Sequence, residues 1–111
     1  MQTISVDELK SRMDAGEKIN LVDVRESFEN ADFNIGGRLV PLGKIQSMQV
    51  DELDDLKDQE VILYCRSGNR SAKAALCLHR AGHAQAWNLV GGVALAMYSA
   101  PVYGNAQFPG T

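Results

Sequence analysis

The segment Cys65-Arg66-Ser67-Gly68-Asn69-Arg70 places a thiol, two guanidinium groups and a flexible turn within six consecutive residues. It follows the apolar run Val61-Ile62-Leu63-Tyr64 and precedes the Ala- and Leu-rich stretch 71–81, so it reads as a loop leading from a buried strand into a helix N-terminus. Such a loop turns several backbone N–H groups toward one point, and the helix dipole adds roughly half a positive charge there, which favours anions. Gly68 supplies the freedom for a tight curve, and Asn69 is the next most tolerant residue of left-handed geometry. The sulfur of Cys65 would sit at the floor of this nest with Arg66 and Arg70 nearby. Both effects favour thiolate over thiol, so its pKa is expected below the unperturbed ~8.5, and the thiolate is the form that attacks. A cysteine at a strand end is more often a small buried hydrophobe. Here a strand, a thiol, a glycine turn, two arginines and a helix start coincide within about ten residues, which favours the catalytic reading. Exposed arginines are ordinarily just solvated, and Arg70, at the junction of loop and helix, has the stronger case of the two.

Spacing weighs against other schemes. A protease-like dyad needs a histidine beside the thiol, yet His79 lies nine residues past Arg70, roughly 13 Å along a helix, and His83 lies beyond it. Cys77 shares a face with Ala74, Leu78 and Ala81 and reads as core. It is about 10 Å down the helix from Arg70, against a ~7 Å limit on Cα separation for a disulfide. Two cysteines and two histidines without close ligand spacing give no zinc site. Neither GxxxxGK[ST] nor a GxGxxG after a strand is present, and no metal or organic cofactor is expected. Asp23, at the end of a buried strand, is expected to pair with an arginine near the loop, because a buried carboxylate needs a paired charge. Arg25 is expected to be scaffold, so both are read as loop support.

The elements that must position these residues alternate along the chain. Ser5 and Glu8 fit a capping box that opens a helix with Val6, Leu9 and Met13 inward, ended by Gly16. Residues 19–24 (INLVDV) read as a buried strand, 26–31 as a brief helix, and 38–40 as a short strand stopped by Pro41. Residues 48–57 are expected to be helical with Val50, Leu53 and Leu56 inward. Residues 61–64 are the clearest strand, 71–81 a helix closed by Gly82, and 86–89 a last strand before Gly91-Gly92 and a helix to about Ser99. This alternation implies an α/β domain with a mainly parallel sheet covered on both faces, in which a site is expected at the carboxyl ends of the strands.

At 111 residues the chain is about one domain, and it has no repeat or linker that would divide it. Residues 1–102 are expected to form that domain, with 103–111 (YGNAQFPGT) a loosely attached tail. Its 45% apolar and 23% charged residues are ordinary for a globular chain. A net charge of -3 argues against nucleic acid as a partner. All formal side-chain charge lies before residue 81, yet the apolar stretch 89–103 is interrupted by glycine, serine and proline. It falls short of the ~20 residues of a membrane span, so no membrane association is expected. The start, MQTISVDELK, lacks a basic region followed by an apolar run, so a cytoplasmic location with reduced thiols is expected. Residues 51–60 carry six acids against Lys57 and read as a solvated helix face.

Four stretches together resemble the rhodanese (thiosulfate sulfurtransferase) family, in particular its small single-domain members. Leu21-Val22-Asp23-Val24-Arg25-Glu26 is similar to the family's strand with a DVRE signature. Residues 34–42 (NIGGRLVPL) resemble its GxxxIPL segment, 64–71 (YCRSGNRS) its catalytic loop, and 88–92 (NLVGG) its late Gly-Gly segment. Two departures stand out: Asp32-Phe33 where members often carry Gly-His, and Met97 or Tyr98 where they often carry a Trp. These bear on substrate preference more than on activity. The resemblance implies a rhodanese-like fold and sulfur transfer through a Cys65 persulfide. The outer sulfur would come from an anionic donor, thiosulfate or polysulfide, and would be held by the N–H groups of Arg66, Ser67, Gly68, Asn69 and Arg70. It would pass to cyanide or a thiol acceptor such as thioredoxin or glutathione. Four residues separate Cys65 from Arg70, one fewer than in related dual-specificity phosphatases and arsenate reductases, and the narrower ring suits sulfur carried on sulfur better than phosphate or arsenate. The alternative is a non-enzymatic relay or interaction module serving a protein partner.

Overall fold

A strand with no polar face has to be covered on both sides, and Val61–Tyr64 is such a strand: all four side chains are buried. In the computed structural model, which describes residues 1–98, it lies at the centre of a five-stranded sheet. In spatial order the strands are β1 (Gln2–Ser5), β5 (Ala86–Val90), β4 (Val61–Tyr64), β2 (Leu21–Asp23) and β3 (Arg38–Leu39), and every pairing is parallel. Alternation along β4 divides the core. Val61, Leu63 and then Cys65 face a cluster with Val22, Ile45, Leu53 and Leu78, whereas Ile62 and Tyr64 face one with Leu9, Met13, Leu89 and Val93. Helices α3 (Leu42–Gln46) and α4 (Asn69–Arg80) cover the first face, and α1 (Val6–Asp14) and α5 (Gly92–Tyr98) the second. A short α2 (Ser27–Asp32) follows the carboxyl end of β2 and buries none of its residues. The expected parallel sheet covered on both faces is the architecture found.

Several elements differ from expectation for identifiable reasons. Residues 2–5 form an edge strand, with only Ile4 turned inward, before Ser5 caps α1 by accepting a hydrogen bond from the Glu8 amide at 3.1 Å. Pro41 stops β3 and also opens α3, because its fixed φ suits a helix start and its missing N–H is not needed there. The helix expected over 48–57 is a 3₁₀ helix confined to Asp51–Leu56. Met48, in left-handed geometry at φ 60°, closes α3 and breaks the run. Val50, Leu53 and Leu56 are nonetheless buried, since a spacing of three is the repeat of a 3₁₀ helix. The acidic face is partly laced to its neighbours. Arg38 of β3 donates two hydrogen bonds to the Asp55 carboxylate at 2.7 and 2.6 Å, and Lys44 of α3 reaches Glu52 at 3.1 Å. Helix α4 begins at Asn69, two residues earlier than expected, so Arg70 belongs to its first turn. Among the described residues no helix is long and apolar enough to cross a membrane. The expected tail, 103–111, and the Met97 and Tyr98 side chains lie outside what is described.

His83, in the connection from α4 to β5, is fully buried, and among the described residues neither ring nitrogen has a hydrogen-bond partner. Burial, reinforced by nearby Lys57 and only partly opposed by Asp54, pushes its pKa below the usual histidine value. The folded chain therefore holds a neutral imidazole, while the unfolded chain takes up a proton below about pH 6.5. Stability from this group is fully present above that pH and is lost as pH falls toward the depressed folded value. His83→Leu is expected to raise stability by about 1–3 kcal/mol by removing two unsatisfied buried nitrogens. It is also expected to flatten the acid side of the stability curve, checked by urea unfolding at pH 7, 6 and 5. A variant losing stability with the same pH slope as the unsubstituted chain would refute this.

Candidate active site

Where β4 gives way to α4, the chain must reverse from extended to helical geometry within a few residues. Gly68 makes the reversal at φ 104°, the left-handed region that disfavours a Cβ. The turn closes over Cys65, which is 1% exposed. Its Sγ accepts hydrogen bonds from the backbone N–H of Gly68 at 3.1 Å and of Ser71 at 3.4 Å, and the Ser71 hydroxyl lies 3.4 Å away. Burial pushes the thiol pKa up, but the Ser71 hydroxyl and the N–H groups of Ser71, Gly68 and Ser67 outweigh it, so the net direction is down. Of the two effects expected to favour the thiolate, the hydrogen-bond donors of the turn account for the lowering, and the two arginines are not among its main causes.

The arginines have separate situations. Arg66 is exposed and has no ion pair among the described residues. Arg70 is held by Glu29 of α2 through two parallel hydrogen bonds of 2.8 Å each. That interaction holds the Glu29 carboxyl down at about 2. Glu29 also accepts from the Glu26 amide at 2.9 Å, so one carboxylate caps α2 and fixes Arg70. Of the remaining loop residues Ser67 and Asn69 are exposed, and Gly68 is buried against β5.

Asp23 is fully buried and its partner is Arg25, two residues along. It accepts from the Arg25 backbone N at 3.0 Å, from Nε at 2.9 Å and from Nη2 at 2.8 Å. It also accepts from Asn30 of α2 at 2.9 Å. Arg25 donates to the Phe33 carbonyl at 2.6 Å and lies 5.6 Å from the centre of the Tyr64 ring, which immediately precedes Cys65. The pair therefore reaches the loop through α2: Asp23 anchors Asn30, and Glu29 on the same helix anchors Arg70. On the other side, α5 starts directly on the loop. The Val93 amide donates to the Cys65 carbonyl at 2.9 Å and the Ala94 amide to the Arg66 carbonyl at 2.8 Å. A Cβ on Gly92 would lie 2.3 Å from the Cys65 carbonyl oxygen, which only glycine avoids.

Beside the loop opens a cleft of about 460 Å³ walled by Phe28, Glu29, Asp32, Phe33, Arg66 and Val93. The departures at Asp32 and Phe33 thus lie in the wall of the cleft next to Arg66. His79, by contrast, lines a separate cavity of about 270 Å³ with Met1 and Leu76, toward the far end of α4 from Cys65. Cys65 and Cys77 are both free thiols, Cys77 being half-buried against the core. Among the described residues no group of three His, Cys, Asp or Glu is placed to hold a metal.

The chain as a whole has relatives in sequence and in fold. The rhodanese-like domain family matches residues 5–95. The chain belongs to the rhodanese-like domain family. A relative from Mycobacterium tuberculosis, named "Probable adenylyltransferase/sulfurtransferase MoeZ", is 37% identical over 93 residues, covering 82% of this chain and 23% of that protein. The chain thus spans about a quarter of that relative's length. A protein of Allochromatium vinosum named "Sulfurtransferase" is 33% identical over 100 residues, covering 89% of this chain and 92% of its own. A rhodanese-like domain protein from Staphylococcus aureus, known as a crystal structure, superposes with a TM-score of 0.75 at 30% identity, covering 85% and 89% of the two chains.

Three residues of this rhodanese-like site escaped the sequence reading: Glu29, Ser71 and Asn88, whose side-chain carbonyl accepts the Ser71 hydroxyl at 2.5 Å. Ser71 carried a signal, a hydroxyl in the first helical turn after the loop. Glu29 carried only its spacing from Glu26, and Asn88 carried none beyond its place before Gly91-Gly92. Glu29→Ala is expected to cost about 1 kcal/mol at pH 7, the scale of a partly exposed pair, since the Arg70 side chain is 35% exposed. Because the folded Glu29 pKa is depressed, this contribution is present above about pH 4.3 and lost as pH falls toward 2. Thermal melts of the two proteins should therefore converge in acid, and a gap that persists at pH 2 would contradict the assignment. Gly92→Ala is expected to cost about 3 kcal/mol from strain and backbone collision, read by the same melts.

Proposed function

We propose that the chain is an enzyme of the rhodanese class that moves sulfane sulfur from an anionic donor, thiosulfate or polysulfide, to a thiophilic acceptor, cyanide or a thiol, through a persulfide on Cys65. The observation that carries this reading is the ring of N–H donors and one hydroxyl around a single buried sulfur whose pKa is lowered. Family membership and the names of its relatives support sulfur transfer as the class of reaction.

In the loading step the Cys65 thiolate attacks the outer sulfur of thiosulfate, an S–S bond forms to Cys65, and the old S–S bond breaks to release sulfite with its electron pair. Charge balances, because the anionic persulfide and sulfite together carry the three negative charges of thiolate and thiosulfate. The outer sulfur is then held by N–H groups of the Arg66–Arg70 turn. In the discharge step an acceptor thiolate attacks the outer sulfur of the protonated persulfide. The S–S bond breaks toward Cys65, which leaves as thiolate, and the acceptor departs as its own persulfide. Arg66, at the cleft and without an ion pair among the described residues, collects the donor's charge. Arg70, fixed by Glu29, keeps a positive charge beside the turn, and the Asp23–Arg25 pair supports Arg70 through α2. Asp32 and Phe33 shape the cleft wall and so bear on which donor or acceptor fits.

Intact-protein mass spectrometry after incubation with thiosulfate tests the scheme. The chain should gain one sulfur atom, Cys65→Ser should gain none while remaining folded, and cyanide should remove the gain. Arg66→Ala and Arg70→Ala should weaken use of anionic donors more than of neutral ones, so equal losses would remove their assigned role. Loading without turnover on small acceptors would favour a relay that passes the sulfur only to a protein partner. A folded, reduced chain that gains sulfur from neither thiosulfate nor polysulfide would overturn the proposal.

A further inference from the structure

The Ser71 hydroxyl has one proton and two acceptors. It donates to the Asn88 side-chain carbonyl at 2.5 Å, shorter than the ordinary ~2.7 Å for such a bond, while Cys65 Sγ lies 3.4 Å away. Ser71 is fully buried and Asn88 is 7% exposed, so no bulk water competes for that proton. The Asn88 amide nitrogen lies on the Gly68 side, where a Cβ would come within 3.8 Å of it, which leaves the carbonyl facing Ser71. The position of Asn88 is set by β5, whose Leu63↔Asn88 pairing seats it beside the carboxyl end of β4. We propose that Asn88 is a positioning residue for Cys65, its side-chain carbonyl competing with Sγ for the single hydroxyl proton of Ser71. This rests on the reading of Cys65 as the nucleophile.

When Cys65 is a neutral thiol or carries its outer sulfur, Sγ is a weak acceptor and the hydroxyl stays with Asn88. When Sγ becomes a thiolate, as it does on leaving in the discharge step, it is a charged acceptor that draws the proton more strongly. Turning the hydroxyl toward sulfur leaves the Asn88 carbonyl and the Ser71 oxygen facing each other without a proton between them, a cost in a buried site. The thiolate therefore gains the Ser71 hydrogen bond less the one given up at Asn88. It is stabilised enough to leave and not so much that it becomes a poor nucleophile toward the next donor. The charged groups around the sulfur are Arg70 of α4 with Glu29 of α2 against it, the Asp23–Arg25 pair at the end of β2, and Arg66 in the loop itself. None of these hydrogen-bonds to Asn88, so its substitution leaves their pairings in place.

The test is a pH titration of the thiolate ultraviolet absorbance, with Cys65→Ser as the blank. Asn88→Leu frees the hydroxyl for sulfur and should lower the Cys65 midpoint by up to about one unit, the scale of the neutral hydrogen bond no longer given up at Asn88. Asn88→Ala, smaller and free of any clash, should move it the same way. Ser71→Ala should raise it, and Asn88→Leu added to Ser71→Ala should have no further effect. An unchanged or raised midpoint in both Asn88 variants overturns the proposal, as does an equal shift with and without the Ser71 hydroxyl. The readout is the thiolate itself, so its outcome is independent of whether thiosulfate loads the sulfur.

Discussion

The first turn of α5 rests on the loop that follows β4, and much of the candidate site depends on that contact. The amides of Val93 and Ala94 would be unpaired donors at a helix N-terminus, and the carbonyls of Cys65 and Arg66 would be unpaired acceptors at a strand end; each pair satisfies the other. Because these carbonyls point toward α5, the N–H groups of the following residues are free to turn inward to the sulfur. The approach is possible only because Gly92 has no side chain. A remote glycine thus enables the hydrogen bonding of a cysteine 27 residues earlier in the chain.

A second support acts from the opposite side. The buried Asp23–Arg25 pair would be unfavourable as isolated charges, but together with Asn30 and the Phe33 carbonyl it is fully engaged. It holds α2, too short to hold its own shape and without a buried residue, against the sheet. From there Glu29 reaches Arg70. The loop is consequently gripped at both ends by elements that contribute nothing to the cradle itself, leaving Arg66 as the arginine at the cleft without an ion pair among the described residues.

What could be read from the sequence follows from how local the signals are. The continuous apolar run 61–64, the glycine at 68 and the Ala- and Leu-rich stretch after it are local, and together they placed Cys65 at a strand-to-helix turn. The edge strand at residues 2–5 has one inward side chain and gives no alternation to detect. The 3₁₀ helix at 51–56 shares its spacing of apolar residues with an α-helix over so short a span, and Met48 is not a residue whose type announces left-handed geometry. Glu29 and Arg70 are 41 positions apart, and Ser71 and Asn88 are 17 apart. Such pairings follow from the strand order, which puts β5 and β2 on either side of β4, and periodicity does not report strand order.

That order has a consequence for how the chain is made. Among the described residues β1 is paired, through Gln2↔Trp87 and its neighbours, with β5 alone, so the first strand of the sheet in chain order waits for the fifth. Until residues 86–90 have left the ribosome, the sheet lacks two of its five strands, and Leu9 and Met13 of α1 lack Leu89 as a packing partner. Parallel pairing between such distant segments is entropically slow to close. Asn88, Gly92 and the amides of α5 arrive with this final segment. The thiol at position 65 is therefore synthesised well before its surroundings exist, and its hydrogen-bonded setting is complete only once the residues through Ala94 have followed.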